Sequence, residues 1–201
     1  MAGHQRPGLG APAETPARVL LHPTADERLA VEQWLLSTLS ESGRAQARTE
    51  WKTLGAALLP LGTQFSAVRI PGRLVAVVAG VDVPRDDPHA IDAFLAEAFQ
   101  GGPVICDPYN GYRYYVLVPA SVPQTWAEAA EDWRSMDTEV LGRGWRMGVP
   151  RVDAVGYPED GALLSSYWSV PMPSLGVLCA PLKVARLIAE ARHQLGGEAD
   201  L

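Results

Sequence analysis

The chain is poor in the residues that build disulfide scaffolds and metal sites. It holds only 2 cysteines among 201 residues, Cys106 and Cys179, and no CxxC pair. A disulfide framework and a cysteine-based zinc site are therefore excluded. The 4 histidines show neither HxH nor HExxH spacing, which argues against a histidine metal site. We predict no metal site and no cofactor.

Long apolar runs are missing as well. No uncharged apolar run reaches the roughly 18 residues that a membrane-spanning helix needs. The segment from Met1 to Pro16 lacks the apolar core of a secretory signal. Together with the low cysteine content, these absences predict a cytoplasmic protein without a membrane partner.

A basic surplus is the third absence. The chain carries 17 basic and 23 acidic residues, a formal net charge of −6. Nonspecific nucleic-acid binders usually carry a basic surplus, because phosphate neutralisation supplies most of their affinity. Binding by bulk charge is therefore disfavoured, whereas a local basic groove is not. Only Lys52 and Lys183 are lysines, and the arginines that remain can make bidentate contacts with phosphate or carboxylate. A GC-rich coding sequence also accounts for the arginine bias, and the Ala, Gly and Pro content agrees with it.

The chain has the length of one domain, and its first 18 residues differ from the rest. Residues 1–18 are rich in Gly, Pro and Ala without periodicity, which predicts a disordered tail before a single domain over 19–201. Hydrophobic periodicity then predicts a helix over 26–39, a helix over 44–59, a strand over 64–70, a second apolar, β-branched run over 74–83 and a helix over 90–99.

The second half of the chain continues this mixed pattern. It predicts a β-hairpin over 103–118, a helix or long ordered loop over 124–140, short strands near 145–149 and 167–170, and a final helix from Pro181 to Gly196-Gly197. The expected buried residues of that helix are Val184, Leu187, Ile188, Ala191 and Leu195. Since βαβ repetition is absent, we predict an α+β fold with a mixed, largely antiparallel sheet flanked by helices.

One segment carries an unusual combination of residues. Val140 to Arg151 contains Arg143, Trp145 and Arg146 and no acidic residue. Its glycines do not match GxGxxG, so a dinucleotide-binding loop is not supported. Arginines beside an exposed indole can grip phosphate and stack on a base. The alternative is a tight turn that buries the indole and leaves the arginines in solvent.

Two carboxylates are candidate catalytic residues. Asp107 closes one predicted strand and Asp153 follows another, so the two could meet at one sheet edge and help hold Mg²⁺ or Mn²⁺. No DxD or DxE pair lies on a predicted strand, and no complete metal or catalytic set is identified. The hairpin also brings Asp107 close to Arg113, where the pair either steadies the turn or directs Arg113 towards a phosphate.

Several short blocks resemble a known family. They are LPLGTQF at 59–65, GPV at 102–104, YYVLVP at 114–119, LGRG at 141–144, VP at 149–150 and YWSVP at 167–171. Over residues 55–195 they resemble the short bifunctional DNA primase/polymerase-like (prim-pol) proteins of high-GC Gram-positive bacteria, which are related to archaeo-eukaryotic primases. Active members carry paired acidic residues in the first strand block and a histidine in the hairpin strand. Residues 65–70 and 111–114 lack them, so the resemblance implies a catalytically degenerate domain.

Three functional hypotheses follow. The first is an accessory or regulatory protein in replication of a plasmid or other mobile element. It would bind nucleotide or single-stranded nucleic acid through Arg113, Arg143, Trp145 and Arg146. The second is a protein–protein interaction module, which the net charge of −6 and the 6 tryptophans favour. The third is an active, metal-dependent nucleotidyltransferase using Asp107 and Asp153. The first two require no catalysis, and we expect the chain not to be an enzyme.

Overall fold

A five-stranded antiparallel sheet lies at the centre of the computed structural model, which describes residues 24–109, 111–157 and 166–198. Its strand order is β5-β2-β4-β3-β7, and a separate two-stranded antiparallel sheet pairs β1 with β6. The strands are β1 (Ala56–Pro60), β2 (Phe65–Pro71), β3 (Val104–Asp107), β4 (Arg113–Pro119), β5 (Glu139–Leu141), β6 (Arg146–Pro150) and β7 (Tyr167–Val170). The chain therefore has an α+β fold, as the sequence predicts.

Helices cover both faces of the larger sheet. They are α1 (Ala25–Leu36), α2 (Glu41–Leu54), α3 (Gly72–Ala79), α4 (Pro88–Ala98), α5 (Val122–Thr125), α6 (Ala127–Trp133), a 3-10 turn (Arg134–Met136) and α7 (Pro181–Glu198). In the described part of the chain, no helix combines the length and apolar character needed to cross a membrane. The predicted disordered tail over 1–18 lies outside the described residues.

The larger sheet separates two hydrophobic cores. Side chains of β4 alternate between them, since Tyr114 and Val116 enter the core under α3, α4 and α7, whereas Leu117 enters the other core. The second core lies between the larger sheet, α1, α2 and the β1–β6 sheet. The predicted hairpin is confirmed with its facing pattern, because Cys106 pairs with Tyr114 and Asp107 pairs with Arg113.

The structure corrects the interpretation of two segments in the first half of the chain. The helix predicted over 44–59 ends at Leu54, since Gly55 has a φ of 77° and the chain continues as β1. The β-branched run from Leu74 falls mostly in helix α3. Residues 74–76 of this helix are buried, and the helix packs on α7. Burial against α7 outweighs the strand preference of its valines.

The last helix also differs in detail. It continues through Gly196-Gly197 to Glu198, and Leu195 is 39% exposed where the sequence predicts burial. The other four predicted core residues of this helix are buried. Leu195 lies in the last turns of the helix, so the core-facing stripe ends at Ala191.

Candidate functional site

The turn between β5 and β6 places three of the four predicted binding residues together. It joins the last strand of the larger sheet to the small sheet, and Arg143, Trp145 and Arg146 are all exposed. The indole of Trp145 is 53% exposed, so the interpretation that buries it in the core is wrong. Among the described residues, no side chain forms a hydrogen bond or ion pair with Arg143 or Arg146. We call residues 142–146 the β5–β6 turn.

Backbone contacts hold the β5–β6 turn in place. Trp145 N donates to Gly142 O at 3.1 Å, and Trp145 O accepts from Leu61 N at 2.9 Å. A Cβ on Gly62 would lie 2.7 Å from the Cα of Arg143, so only glycine lets the neighbouring turn approach this closely. The arginines and the indole are therefore presented by a fixed backbone.

Arg113 lies at the opposite end of the larger sheet. It pairs with Pro71 at the end of β2, whereas the β5–β6 turn lies beside Gly62 and Ser66 at the opposite end of that strand. At about 3.3 Å per residue, the length of β2 separates the two places by roughly 20 Å. The four predicted residues therefore do not form one continuous site.

The surroundings of Arg113 are balanced in charge. Tyr115 shares its face and is close to Asp107, Arg69 and Glu139, and the Arg69–Glu139 ion pair spans 2.8 Å. Burial, followed by the charge of Asp107, raises the pKa of Tyr115. Two carboxylates accompany two arginines here, so this end of the sheet is not a basic patch.

Asp107 steadies the hairpin turn. Its Oδ1 accepts a hydrogen bond from Tyr109 N at 3.1 Å, an Asx-type contact, and its Cα faces that of Arg113 across the strands. This geometry favours the structural interpretation of the Asp107–Arg113 pair over the one that directs Arg113 towards a phosphate.

Asp153 takes part in a different contact. Its two oxygens accept from Arg151 Nε at 3.0 Å and from Arg151 Nη2 at 2.5 Å, beside helices α1 and α2. In the described ranges, no three His, Cys, Asp or Glu side chains gather as a metal site. Asp107 and Asp153 each have a separate local partner, Tyr109 N for Asp107 and the Arg151 guanidinium for Asp153.

A cleft between α1, α2 and residues 151–153 was not predicted. It has a volume of about 510 Å³. Its charged lining residues are Arg28, Glu32, Arg48, Lys52, Arg151 and Asp153. The four-residue spacings of Arg28 with Glu32 and of Arg48 with Lys52 were the available signals, since residues at this spacing share a helix face. We call this feature the cationic cleft.

A buried polar cluster lies under α4. The hydroxyl of Ser169 donates to Asp92 Oδ1 through a short hydrogen bond, and the hydroxyl of Tyr167 contacts the same oxygen at 3.4 Å. Asp92 Oδ2 and the hydroxyl of Tyr114 are buried without a hydrogen-bond partner in the described part of the chain. Burial raises the pKa of Asp92 to about 7 and that of the Cys106 thiol to about 12. Cys106 is therefore an inert thiol, whereas Asp92 can titrate near neutral pH.

Comparison with protein-family models, with curated proteins and with solved structures gave no match to this chain.

Proposed function

We propose that this protein binds single-stranded nucleic acid through the β5–β6 turn. The observation that carries the proposal is the half-exposed indole of Trp145 between the exposed Arg143 and Arg146, without an acidic partner among the described residues. An unpaired base can stack on the indole, and the two guanidinium groups can contact the flanking phosphates. Arg113 is left out of this site because it lies at the other end of β2.

The same geometry sets the strength of the interaction. One stacked base contributes about 1–3 kcal/mol, and the two arginines must act against a chain whose net charge is −6. We therefore expect weak binding that is visible at low ionic strength. A single strand suits this turn better than a duplex, because stacking requires an unpaired base face.

The proposal is tested with a fluorescein-labelled oligothymidylate and fluorescence anisotropy at low salt. Trp145→Ala should weaken binding by about tenfold, as expected for the loss of one stacked base. Arg143→Ala with Arg146→Ala should reduce binding to the detection limit. Arg186→Ala is the matched control, since Arg186 is an exposed arginine on α7. Equal affinities for all four proteins would overturn the proposal.

The biological role follows from the prim-pol resemblance. We infer a degenerate primase/polymerase-like domain that serves as an accessory or regulatory factor in replication of a plasmid or other mobile element. Asp153 is occupied by Arg151, and Asp107 supports the hairpin turn. These contacts do not favour the nucleotidyltransferase hypothesis.

A protein-interaction role is the second candidate, and two exposed leucines favour it. Leu54 at the end of α2 is 69% exposed, and Leu58 on β1 is 55% exposed. Leu58 faces Gly148 across the small sheet, so its side chain stands beside a position without one. If this surface binds a protein, Leu54→Glu with Leu58→Glu should abolish retention of a defined partner from nuclease-treated lysate. Retention that nuclease treatment removes would rule against this role.

A further inference from the structure

We propose that the cationic cleft is a second ligand site and that it takes a small phosphorylated molecule. The inference does not rest on nucleic-acid binding by the β5–β6 turn. Arg151 follows the end of β6 and Arg146 begins it, so the two places lie about 16 Å apart along the strand.

The charge of the cleft is opposite in sign to that of the whole chain. Four cationic side chains line it, Arg28, Arg48, Lys52 and Arg151, against the two carboxylates of Glu32 and Asp153. The cleft thus has two positive charges in excess, whereas the whole chain has a net charge of −6. Such a local reversal attracts an anion and repels a cation.

The existing ion pairs leave donors available for a ligand. Arg48 Nε lies 3.5 Å from Glu32 Oε1, a long contact between partly exposed side chains. Lys52 is exposed and has no hydrogen-bond or ion-pair partner among the described residues. Arg151 is held by Asp153 through Nε and Nη2, which fixes its plane while Nη1 makes no hydrogen bond to a described residue.

The walls of the cleft suit the organic part of such a ligand. Leu29, Trp51 and Val152 supply apolar surface. The indole of Trp51 is held by a hydrogen bond from Nε1 to Val149 O at 2.8 Å. The volume of about 510 Å³ falls in the usual range of roughly 300–1,000 Å³ for small-molecule sites. Inorganic phosphate alone would leave most of that volume unfilled.

Charge matching favours a phosphate over a carboxylate. A phosphate monoester carries about −1.5 to −2 near neutral pH, which matches the excess of two positive charges in the cleft. A single carboxylate would neutralise only half of it. The oxygens of one phosphate can also accept hydrogen bonds from several N–H donors at once. A phosphate can therefore contact guanidinium groups that come from separate elements of the fold.

The test uses isothermal titration calorimetry on the full chain with ADP, sodium pyrophosphate and acetate at matched ionic strength. We expect saturable one-to-one binding of ADP and pyrophosphate and none of acetate. Arg48→Gln with Lys52→Gln should weaken ADP binding by about 100-fold, since each lost charged contact accounts for about tenfold. Arg186→Gln is the control for total charge.

Two further variants keep the result interpretable. Glu32→Gln removes a competing carboxylate, so it should strengthen ADP binding, a gain that misfolding cannot imitate. Trp145→Ala should leave ADP binding unchanged, which separates this site from the β5–β6 turn. Absence of saturable ADP binding, equal binding of acetate, or full affinity in the Arg48, Lys52 double variant would overturn the proposal.

Discussion

Asp92 is the residue whose chemistry departs most from its ordinary behaviour. It lies on α4 between core positions, accepts hydrogen bonds from Ser169 and Tyr167, and keeps one buried oxygen without a described partner. Burial raises its pKa from 3.8 to about 7, against the opposing effect of the two hydroxyl donors. The folded protein therefore holds a proton on Asp92 that the unfolded chain releases.

This proton predicts a specific pH dependence of stability. Between the unfolded pKa of 3.8 and the folded pKa of about 7, the folded state binds more protons, so stability falls as pH rises through this window. Asp92→Asn should remove that slope and stabilise the protein near pH 8 by about 1–4 kcal/mol. Urea unfolding across this range measures it, with the exposed Asp132→Asn as control. A slope that persists in Asp92→Asn would contradict the account.

Replacement of Asp107 should destabilise the protein, in contrast to replacement of Asp92. Replacement by Asn weakens the cross-strand attraction to Arg113 but keeps an oxygen for Tyr109 N. We expect a loss of about 0.5–1 kcal/mol in the free energy of unfolding, and no change in oligonucleotide affinity. Thermal unfolding and anisotropy together check it. A weakened affinity at unchanged stability would return Arg113 to the binding site.

At the scale of the elements, the position of the β5–β6 turn depends on the turn that contains Gly62, which packs closely against it. Gly62 has a φ of 85° and packs on the Arg143 backbone, so Gly62→Ala meets both strain and a clash. We expect a loss of about 1–3 kcal/mol of stability, and weaker oligonucleotide binding because the turn is displaced. Gly148→Ala is the control, since nothing lies within 4 Å of a Cβ there. Unchanged binding in a folded Gly62→Ala protein would show that the turn is not the site.

The elements also show what sequence patterns can and cannot predict. The hairpin over 103–118 was predictable because strict alternation decides which side of the sheet each residue faces. The end of α2 was missed because Trp51, Leu54 and Leu58 continue a helical spacing across Gly55. The valines of the β-branched run over 74–83 are typical of a strand, whereas most of this run lies in α3, which packs on α7.

The binding sites were harder to predict than the helices and strands, because they combine residues that are distant in the chain. Arg143, Trp145 and Arg146 are close in sequence, and one turn keeps them together in the structure. Arg113 lies apart from them, because the length of β2 separates the two places. The cationic cleft takes residues from two helices and a loop far apart in the chain. The four-residue spacings within each helix indicate a shared helix face, but they do not predict that the two faces meet.

On the scale of the whole molecule, negative net charge and local positive sites act together. The chain carries −6 overall, while the β5–β6 turn and the cationic cleft are positive. Under the proposed function, repulsion from the remaining surface limits nonspecific attraction of nucleic acid, and binding depends on the few residues of each proposed site. Both sites adjoin β6, which links the two sheets through the β5–β6 turn at its start.

The salt dependence of oligonucleotide binding tests the central claim most directly. Two phosphate contacts on a single strand, each contributing about −0.7, give an expected slope of roughly −1.4 for the logarithm of the association constant against the logarithm of salt concentration. Anisotropy titrations with oligothymidylate at several salt concentrations measure this slope. The account predicts that value for the wild type and for Arg186→Ala, and a slope near zero for any residual binding by the Arg143→Ala, Arg146→Ala protein. A wild-type slope near zero would contradict the account. Equal slopes for Arg186→Ala and for the Arg143→Ala, Arg146→Ala protein would also contradict it.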